Sequence, residues 1–216
     1  MNIAIAGKAG SGKSTAAKQL ARQHGYQIVS IAAKLKELCA LHPAVLAGDE
    51  RALGALRQHV ADVLPIDAER VLPQVVAAFR EIPVSQCKPR KLLQVVGSDI
   101  IRAAKHDAWV SYLMRNAASL GLVVVDDVRF RDEFDAFTDA GWLTVYCAVP
   151  AVIREQRLIA DYGKPLSQAE KRHPSECDLD GVPIDAWGYV LNAAVSMESE
   201  RHQVDEMIAT MGVHYG

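Results

Sequence analysis

The sequence lacks the features that mark several classes of protein. Its 216 residues carry a formal net charge of −2, so broad electrostatic binding to nucleic acid or to an anionic membrane surface is not expected. No apolar run approaches the ~20 residues of a membrane-spanning helix, and the chain starts with an apolar strand pattern that has no charged leader before it. We therefore expect a soluble, cytoplasmic protein.

Cysteine is scarce and scattered. The four cysteines, at positions 39, 87, 147 and 177, form no C-x-x-C pair, so neither a zinc site nor a disulfide framework is predicted, and Cys147 is expected in the core. Half of the residues are apolar and 23% are charged, which is typical of a folded domain with a full hydrophobic core. There is no internal repeat and no low-complexity segment.

One stretch near the start carries most of the chemical information. Residues 7–14, GKAGSGKS, match the phosphate-loop pattern G-x-x-x-x-G-K-[ST] between a strand pattern at 3–6 and a helix pattern at 16–21. The glycines let successive N–H groups point into one concavity, and the helix N-terminus adds partial positive charge. The Lys13 ammonium can reach the β- and γ-phosphates, and the Ser14 hydroxyl can bind Mg²⁺. The predicted nucleotide-binding residues are Gly7, Ala9, Gly10, Ser11, Gly12, Lys13, Ser14 and Thr15.

Strand and helix patterns alternate along the chain. Further strands are predicted at 26–30, 122–125, 142–149 and 189–192, and this alternation indicates a mainly parallel five-stranded sheet with helices on both faces, the three-layer α/β sandwich of P-loop NTPases. Helices are predicted at 32–41, from Arg90 to about 105, from an Asp107 N-cap to 118, at 131–140, 151–162 and 197–211.

Two segments stand apart from this alternation. Residues 44–82 read as an all-helical insertion divided at 64–66, with Leu53, Leu56, Val60 and Val63 forming one buried stripe. Residues 163–187 are polar and rich in proline, so we expect a loop-like or partly helical flap there.

Two acidic residues follow the buried strand pattern at 122–125. Asp126 and Asp127 have the Walker B form, in which a carboxylate at a strand end holds Mg²⁺ directly or through water. Alternation along a strand would point them to opposite faces, so they should differ in role. Which of them contacts the metal is left open, and a helix cap or a solvated turn is the alternative reading of such a pair.

Ligands of parallel α/β sheets bind beyond the carboxyl ends of the strands. Gly7, Ser30, the Asp126–Asp127 pair and Asn192 all fall at such ends, which is what a single active site would produce. Five arginines flank the expected cleft, and phosphoryl transfer needs such fixed positive charges: Arg90, Arg102, Arg129, Arg154 and Arg157. For any one of them a surface ion pair worth about 0–1 kcal/mol is the alternative. His173 in the flap has no predicted nucleophile beside it, so a hydrolase site is not predicted.

Several segments, taken in chain order, carry a resemblance to a known family: Met1–Ala17, Ser30–Lys36, Arg90–Gly97, Trp109, Asp127–Phe130, Glu133, His173, Ser175–Glu176 and Asn192. Together they resemble the phage-type deoxynucleoside monophosphate kinases, a branch of the P-loop nucleoside monophosphate kinases related to animal-type phosphomevalonate kinase. The discriminating parts are Arg90–Gly97 and Asp127–Phe130, because the phosphate loop is shared by many NTPases. The resemblance covers most of the chain, but nothing matches across 44–82.

The resemblance implies transfer of the ATP γ-phosphoryl group to the 5′-phosphate of a deoxynucleoside monophosphate, giving ADP and the diphosphate. It implies ATP and Mg²⁺ as cofactors and small nucleotides as the ligands, with no nucleic acid and no membrane as partner. A homodimer is compatible with it, and so is a host-cytoplasmic location for a phage-encoded chain. It also implies one domain over 1–216, with a helical acceptor-binding insertion at 32–88 and a lid at 154–187.

The same resemblance implies roles for individual residues. Lys13, Ser14 and the loop at 7–12 hold ATP and metal, with Asp126 and Asp127 as metal carboxylates. The implied acceptor-binding residues are Ser30, Lys36, Arg90, Gln94, Arg129, His173 and Glu176. Lys13, Asp127 and Arg129 are expected to act in catalysis, and Arg154 or Arg157 is expected to reach the transferring phosphate.

Two other functions stay open on the sequence alone. The same fold could act on another phosphorylated acceptor, such as phosphomevalonate or a hypermodified deoxypyrimidine nucleotide. Alternatively, the protein could be an NTPase switch that hydrolyses nucleotide slowly, with 44–82 as the surface that binds a partner protein.

Overall fold

The computed structural model describes residues 1–82, 90–194 and 197–215, and only the backbone of Arg90, Tyr162, Met197 and 212–215. The side chain of Arg90 and the whole of Cys87 therefore lie outside the described residues. The chain divides into two compact units: Met1–Ser30 with Ser119–Gly216, here the sheet unit, and Ile31–Ala118, here the helical unit. Among the described residues, no helix is both long enough and apolar enough to cross a membrane.

The secondary structure follows the predicted alternation closely. The strands are β1 (Ile3–Ala6), β2 (Gln27–Val29), β3 (Val123–Val128), β4 (Leu143–Ala148) and β5 (Tyr189–Asn192). The helices are α1 (Lys13–His24), α2 (Ala33–Ala40), α3 (His42–Leu46), α4 (Glu50–Val63), α5 (Ala68–Glu81), α6 (Arg90–Gln94), α7 (Ala108–Ala117), α8 (Arg131–Asp139), α9 (Ala151–Tyr162), α10 (Gln168–Lys171), α11 (Pro174–Cys177) and α12 (Met197–Tyr215). A π-helical segment spans Val95–Arg102, and a 3₁₀ turn spans Ile184–Ala186.

The sheet unit is built on five parallel strands in the order β2-β3-β1-β4-β5. This confirms the predicted α/β fold with a mainly parallel five-stranded sheet. Because the strands are parallel, their carboxyl ends lie at one edge of the sheet, and Gly7, Ser30 and Asn192 fall at that edge as predicted.

Strand β3 is longer than predicted and is irregular at the two aspartates. It continues to Val128, so Asp126 and Asp127 lie inside the strand and not beyond its end. Ala4 of β1 pairs with Val125, whereas Ala6 pairs with Val128, so β3 has one extra residue at this point. Such a bulge changes the direction of side chains locally, so simple alternation does not describe the Asp126–Asp127 pair.

The core of the sheet unit contains the apolar strand residues together with α1 and α12. Ile3, Ile5, Val124 and Val145 are all at most 1% exposed, and Leu20 of α1 packs in the same cluster. Burial of all four residues of β1 explains its unbroken apolar run. Helix α8 supplies Phe134 and Phe137, which pack against Trp187 and Trp142 with ring centroids 4.5 and 4.7 Å apart.

The three cysteines among the described residues are free thiols. Cys147 lies in the core of the sheet unit, as predicted, and Cys39 is buried in the helical unit. Burial raises the pKa of both thiols to about 12, so both remain protonated at neutral pH.

The helical unit contains the predicted stripe, with one correction. Leu56, Val60 and Val63 of α4 are fully buried, but Leu53 is 40% exposed. Ala52, one residue earlier, is buried instead, because Ala52 and Leu56 are four residues apart and so lie on the same face of α4. The predicted division at 64–66 is confirmed, since α4 ends at Val63 and α5 begins at Ala68.

The helical run predicted from Arg90 to about 105 is present, but its middle is not an α-helix. Arg90–Gln94 is α-helical, whereas Val95–Arg102 is a π-helix. A Cβ atom on Gly97 would lie 2.5 Å from the Leu35 side chain, and the Gly97 carbonyl accepts a hydrogen bond from Trp109 Nε1 at 3.1 Å. Close packing of the Leu35 side chain of α2 thus favours glycine at this position of a rare helix type.

Asp107 precedes α7 as predicted, but its side chain does not cap the first turn. The carboxylate instead accepts a hydrogen bond from the Ser111 hydroxyl. Asp107 is therefore at the predicted N-cap position, but its side chain does not accept a hydrogen bond from the first turn of the helix.

Candidate functional site

The phosphate loop needs its glycines for both conformation and space. Gly7, Gly10 and Gly12 have φ angles of 145°, 76° and 91°, a region that residues with a Cβ atom rarely adopt. A Cβ on Gly10 would lie 2.7 Å from the Arg154 carbonyl oxygen, and one on Gly7 would lie 2.6 Å from Ser11 Oγ. The loop therefore packs too closely against its neighbours to accept side chains at these positions.

Lys13 is buried and bound to its own loop. Its ammonium donates to the carbonyl oxygens of Gly7 at 2.6 Å and Lys8 at 3.0 Å. Burial is the main reason that the pKa of Lys13 is lowered to about 8; the positive charge of Arg129 acts in the same direction, and negative charge including that of Glu176 opposes the shift. A bound polyphosphate would supply the missing negative charge, because an opposite charge nearby favours the ammonium form.

Ser14 and Thr15 begin helix α1 with exposed side chains. The Ser14 hydroxyl, on the first turn of the helix, is thus accessible to a ligand. Among the described residues, no group of three or more His, Cys, Asp or Glu side chains could hold a metal. Mg²⁺ usually takes one or two protein carboxylates and completes its shell with phosphates and water, so a hydroxyl and one aspartate fit that chemistry.

The two aspartates of β3 have different surroundings. The Ser30 hydroxyl donates to Asp127 Oδ2 at 2.6 Å, which brings together two residues that the sequence analysis placed in the site. The negative charge of Asp126 acts on Lys13, whereas that of Asp127 acts on Glu133. The two carboxylates thus act on different neighbours, and Asp126 acts on the lysine of the phosphate loop; that they differ in role stays a prediction.

Arg129 and Glu176 meet beside the phosphate loop. Arg129 Nη1 donates to Glu176 Oε1 at 2.7 Å, and the Ala9 amide N–H donates to Glu176 Oε2 at 3.0 Å. Arg129 therefore lies at the phosphate loop, although the sequence separates them by more than a hundred residues. The small pocket around them is lined by Gly7, Lys8, Val128, Arg129, Tyr146, Ser175, Glu176, Leu179 and Asp180.

Glu133 fixes the turn that carries Arg129. It is 3% exposed and accepts hydrogen bonds from the backbone N–H groups of Arg129 at 2.8 Å and Phe130 at 3.1 Å. Burial raises the pKa of Glu133 to about 8, against these two hydrogen bonds. Glu133 belongs to the residues that carry the resemblance, but no role was predicted for it. A glutamate three residues into a helix is nevertheless a known capping signal.

The two candidate lid arginines bind the phosphate loop itself. Arg157 donates to the carbonyl oxygens of Gly10 at 3.3 Å and Ala193 at 2.6 Å. Arg154 Nη1 lies 3.5 Å from the Ala9 carbonyl oxygen. Both guanidinium groups thus contact the backbone of the loop, and the reach of either one to a transferring phosphate stays a prediction.

Glu200 is a further buried acid near the loop that the sequence analysis missed. It is 3% exposed, and within the part of the chain that the structure describes its Oε1 has no hydrogen-bond partner. A Cβ on Gly12 would lie 3.4 Å from this oxygen. Burial raises the pKa of Glu200, opposed by the charge of Arg157. Its position in the first turn of α12 gave no sequence signal.

His173 has a hydroxyl beside it, contrary to prediction. Its Nδ1 lies 2.8 Å from Ser175 Oγ and accepts from the Ser175 backbone N–H at 3.2 Å. The imidazole therefore caps α11. The predicted flap at 163–187 contains two short helices, α10 and α11, and a 3₁₀ turn.

Comparison with known proteins bears on the fold and on the resemblance. No family model matches the chain. A protein of Acanthamoeba polyphaga mimivirus named "Putative deoxynucleotide monophosphate kinase" is 26% identical over 199 residues, 83% of this chain and 82% of that protein. A solved protein from Thermus thermophilus has a TM-score of 0.51 at 22% identity, with 97% of each chain covered. A gluconokinase from Sinorhizobium meliloti 1021 has a TM-score of 0.50 at 14% identity, with 100% of this chain and 97% of that chain covered.

The chain has the α/β P-loop fold. The solved structures support the fold, and the mimivirus protein confirms the resemblance predicted from the sequence.

Three acceptor-side candidates of this P-loop protein lie in the helical unit. Lys36 of α2 and Gln94 of α6 are exposed, and the side chain of Arg90 lies outside the described residues. The neighbouring Lys34 is instead held by Asp62 at 2.8 Å and lies over the Tyr112 ring. The acceptor-binding role of Lys36, Arg90 and Gln94 stays a prediction.

Proposed function

We propose that the protein transfers the γ-phosphoryl group of ATP to the 5′-phosphate of a deoxynucleoside monophosphate. One observation carries the proposal: Arg129 lines the same pocket as Gly7 and Lys8 of the phosphate loop. A phosphotransferase needs a group that holds the donor phosphates and separate cations that hold the acceptor phosphate. The mimivirus relative, named as a deoxynucleotide monophosphate kinase, supports the choice of acceptor.

The phosphate loop forms the donor side. Its N–H groups and the N-terminus of α1 bind the nucleotide phosphates, and Lys13 exchanges its bonds with the Gly7 and Lys8 carbonyls for phosphate oxygens. This exchange is favourable because a phosphate stabilises the ammonium charge, which burial disfavours.

Ser14 and Asp126 would hold Mg²⁺ in this proposal. A bound Mg²⁺ neutralises charge on the phosphates during transfer. Asp126 is preferred over Asp127 as the metal carboxylate because Asp127 already accepts the Ser30 hydroxyl. Asp127 then orients Ser30 on the acceptor side.

In this proposal Arg129 binds the acceptor phosphate, and Ser30 lies beside Asp127 on the same side. The acceptor-binding roles that the resemblance implies are proposed for Lys36, Arg90 and Gln94. The acceptor oxygen is already an anion, so no strong general base is required. Positioning and charge neutralisation supply most of the rate.

Arg154 and Arg157 serve the transferring phosphoryl group in this proposal. Either arginine reaches the phosphoryl group by exchanging its hydrogen bond to a loop carbonyl for one to a phosphate oxygen. The exchange is favourable because the new hydrogen bond joins two charged groups. Residues 154–187 form the lid and residues 32–88 the acceptor-binding insertion of a single domain. We also propose that the partners are small nucleotides, in a cytoplasmic setting, in line with the net charge of −2.

A coupled assay of ADP formation tests the proposal. With ATP and Mg²⁺, turnover should require a deoxynucleoside monophosphate and should vanish in Lys13→Ala. Turnover with phosphomevalonate or a modified pyrimidine nucleotide instead would change the acceptor and keep the reaction class. A basal hydrolysis rate that no acceptor alters would contradict the proposal and favour an NTPase switch.

A further inference from the structure

The Glu176 carboxylate joins two groups that the proposed function assigns to phosphate. One of its oxygens accepts from the Ala9 N–H of the phosphate loop at 3.0 Å, and the other accepts from Arg129 Nη1 at 2.7 Å. The N–H belongs to the donor side of the proposed reaction and the guanidinium to the acceptor side. One carboxylate therefore spans the place where donor and acceptor phosphates would meet.

The surroundings make this contact strong. The Glu176 side chain is 11% exposed and that of Arg129 is 34% exposed, so solvent screens the pair less than it screens a surface ion pair. Hydrogen bonds between charged partners are also roughly twice as strong as neutral ones. The negative charge of Glu176 further acts on the Lys13 ammonium. Glu176 thus interacts with three anion-binding groups of the proposed site.

Two more acids bind the same stretch of chain to its neighbours, Asp178 to the start of α8 and Asp180 to the phosphate loop. Asp178 accepts from the Arg131 backbone N–H at 2.7 Å, and Asp180 pairs with Lys8 Nζ at 2.8 Å. Both side chains are more exposed than Glu176. Asp180 carries the same charge as Glu176 in the same pocket, but it contacts neither Arg129 nor a loop N–H in the hydrogen bonds described, so it is a matched control.

We propose that, in the nucleotide-free protein, Glu176 occupies the position of the transferring phosphoryl group and thereby sets the preference of the site between ATP and ADP. The inference rests on the proposed function. A phosphoryl group presents oxygens to the same donors as the carboxylate, and the two anions cannot share them. The γ-phosphoryl group of ATP therefore displaces Glu176, whereas ADP has no such group and leaves Glu176 bound. Displacement weakens the binding of ATP only.

Calorimetric titration of ATP and ADP in the presence of Mg²⁺ tests this inference on the wild-type chain and two variants. In Glu176→Gln, ATP affinity should rise about tenfold, equal to about 1.4 kcal/mol, while ADP affinity changes by less than about twofold. In Asp180→Asn, which removes a general negative charge, ATP and ADP affinities should rise together and by less than about threefold. Glu176→Asp, with a carboxylate too short to span both donors, should shift the ATP:ADP ratio in the same direction as Glu176→Gln.

Equal gains for ATP and ADP in Glu176→Gln, or no gain for ATP, would overturn the inference. So would an Asp180→Asn variant that reproduces the ATP-specific gain, because general charge repulsion would then explain it. Thermal unfolding of each variant confirms that it is folded. If the wild-type chain binds nucleotide but phosphorylates no acceptor, the proposed function fails while the ATP:ADP ratio still decides this inference. If neither ATP nor ADP binds to the wild-type chain or to any variant, the proposed function and this inference both fail.

Discussion

The Lys13 ammonium donates to the Gly7 carbonyl oxygen at 2.6 Å, so the end of the lysine side chain is bound to the first glycine of the phosphate loop. The same burial that shields this hydrogen bond lowers the pKa of Lys13 to about 8. The charge that binds phosphate is therefore sensitive to pH within a range where the protein can be studied.

ATP affinity should weaken above pH 8. In the free protein Lys13 loses its proton as pH rises through its pKa of about 8, and bound phosphate restores the proton, so binding becomes linked to proton uptake. The limiting slope is about tenfold in affinity per pH unit for one proton. Titrations at pH 8.5 in two buffers of different ionisation enthalpy measure this uptake.

Lys13→Arg is the control, because arginine stays charged at these pH values. It should show no linked proton uptake at pH 8.5. Uptake of the same size in both proteins would assign the proton to another group and would contradict the account of Lys13.

Arg129→Ala should chiefly raise the KM for the acceptor. Loss of a hydrogen bond to a charged group costs about 1.5–3 kcal/mol, which corresponds to about a 10- to 150-fold increase in KM, with a smaller effect on the KM for ATP. Steady-state kinetics with each substrate varied in turn measures both. Arg131→Ala, whose exposed side chain pairs with Asp135, should leave the acceptor KM near the wild-type value. Unchanged acceptor kinetics in Arg129→Ala would remove Arg129 from the site.

Glu133 should make the stability of the chain fall as pH rises from about 5 to 8. The pKa of Glu133 is raised from 4.5 to about 8 in the folded chain, so the folded state binds more protons than the unfolded state in this window. The contribution of Glu133 is therefore fully present below pH 4.5 and is lost as pH rises through 8, at most about 1.4 kcal/mol per pH unit.

Urea unfolding at pH 5, 6.5 and 8 measures this slope. Glu133→Gln should give a flatter pH dependence of the free energy of unfolding, because glutamine does not titrate and its amide oxygen can still accept from the Arg129 N–H. Asp135→Asn, an exposed change in the same helix, should keep the wild-type slope. A wild-type slope in Glu133→Gln would contradict the raised pKa.

Gly97→Ala should destabilise the chain, by less than the ~1–3 kcal/mol typical of an overpacked core, because the atom that the new methyl group meets is the end of the Leu35 side chain. The new methyl group would meet the Leu35 side chain, which lies 2.5 Å from the Cβ position. Urea unfolding of the two proteins measures the loss.

Gly54→Ala is the matched control in the same unit. Gly54 lies within α4, and a Cβ there would meet nothing within 4 Å. That variant should gain about 0.5–1 kcal/mol, since alanine favours a helix interior over glycine. Stabilisation in both variants would show that the contact with Leu35 does not require glycine.

The architecture could be predicted because its signals are local. The positions of the strands along the chain follow from apolar runs, and the phosphate loop is one contiguous motif. The bulge at Asp126–Asp127 and the π-helix at Val95–Arg102 could not be predicted. Each is a shift of backbone pairing by one residue, which no local pattern of residue types in these segments indicates. Leu53 shows the same limit, because one residue of helical phase separates a buried position from an exposed one.

The site was predicted as a set of residues, but their partners were not. Glu176 and Ala9 are 167 positions apart, and no spacing rule connects them. Arg154 and Arg157 were expected to reach phosphate, yet in this structure their donors contact loop carbonyl oxygens. The charged residues can be read from the sequence, whereas the partner that each one contacts depends on burial and packing in the folded chain.

The fate of the γ-phosphoryl group tests the central claim most directly. The chain is incubated with Mg²⁺ and ATP labelled in the γ-phosphoryl group, together with each deoxynucleoside monophosphate in turn, and the labelled products are separated. We predict label in a deoxynucleoside diphosphate, and none in Lys13→Ala. Label that appears only as inorganic phosphate, at a rate independent of the acceptor, would contradict the account.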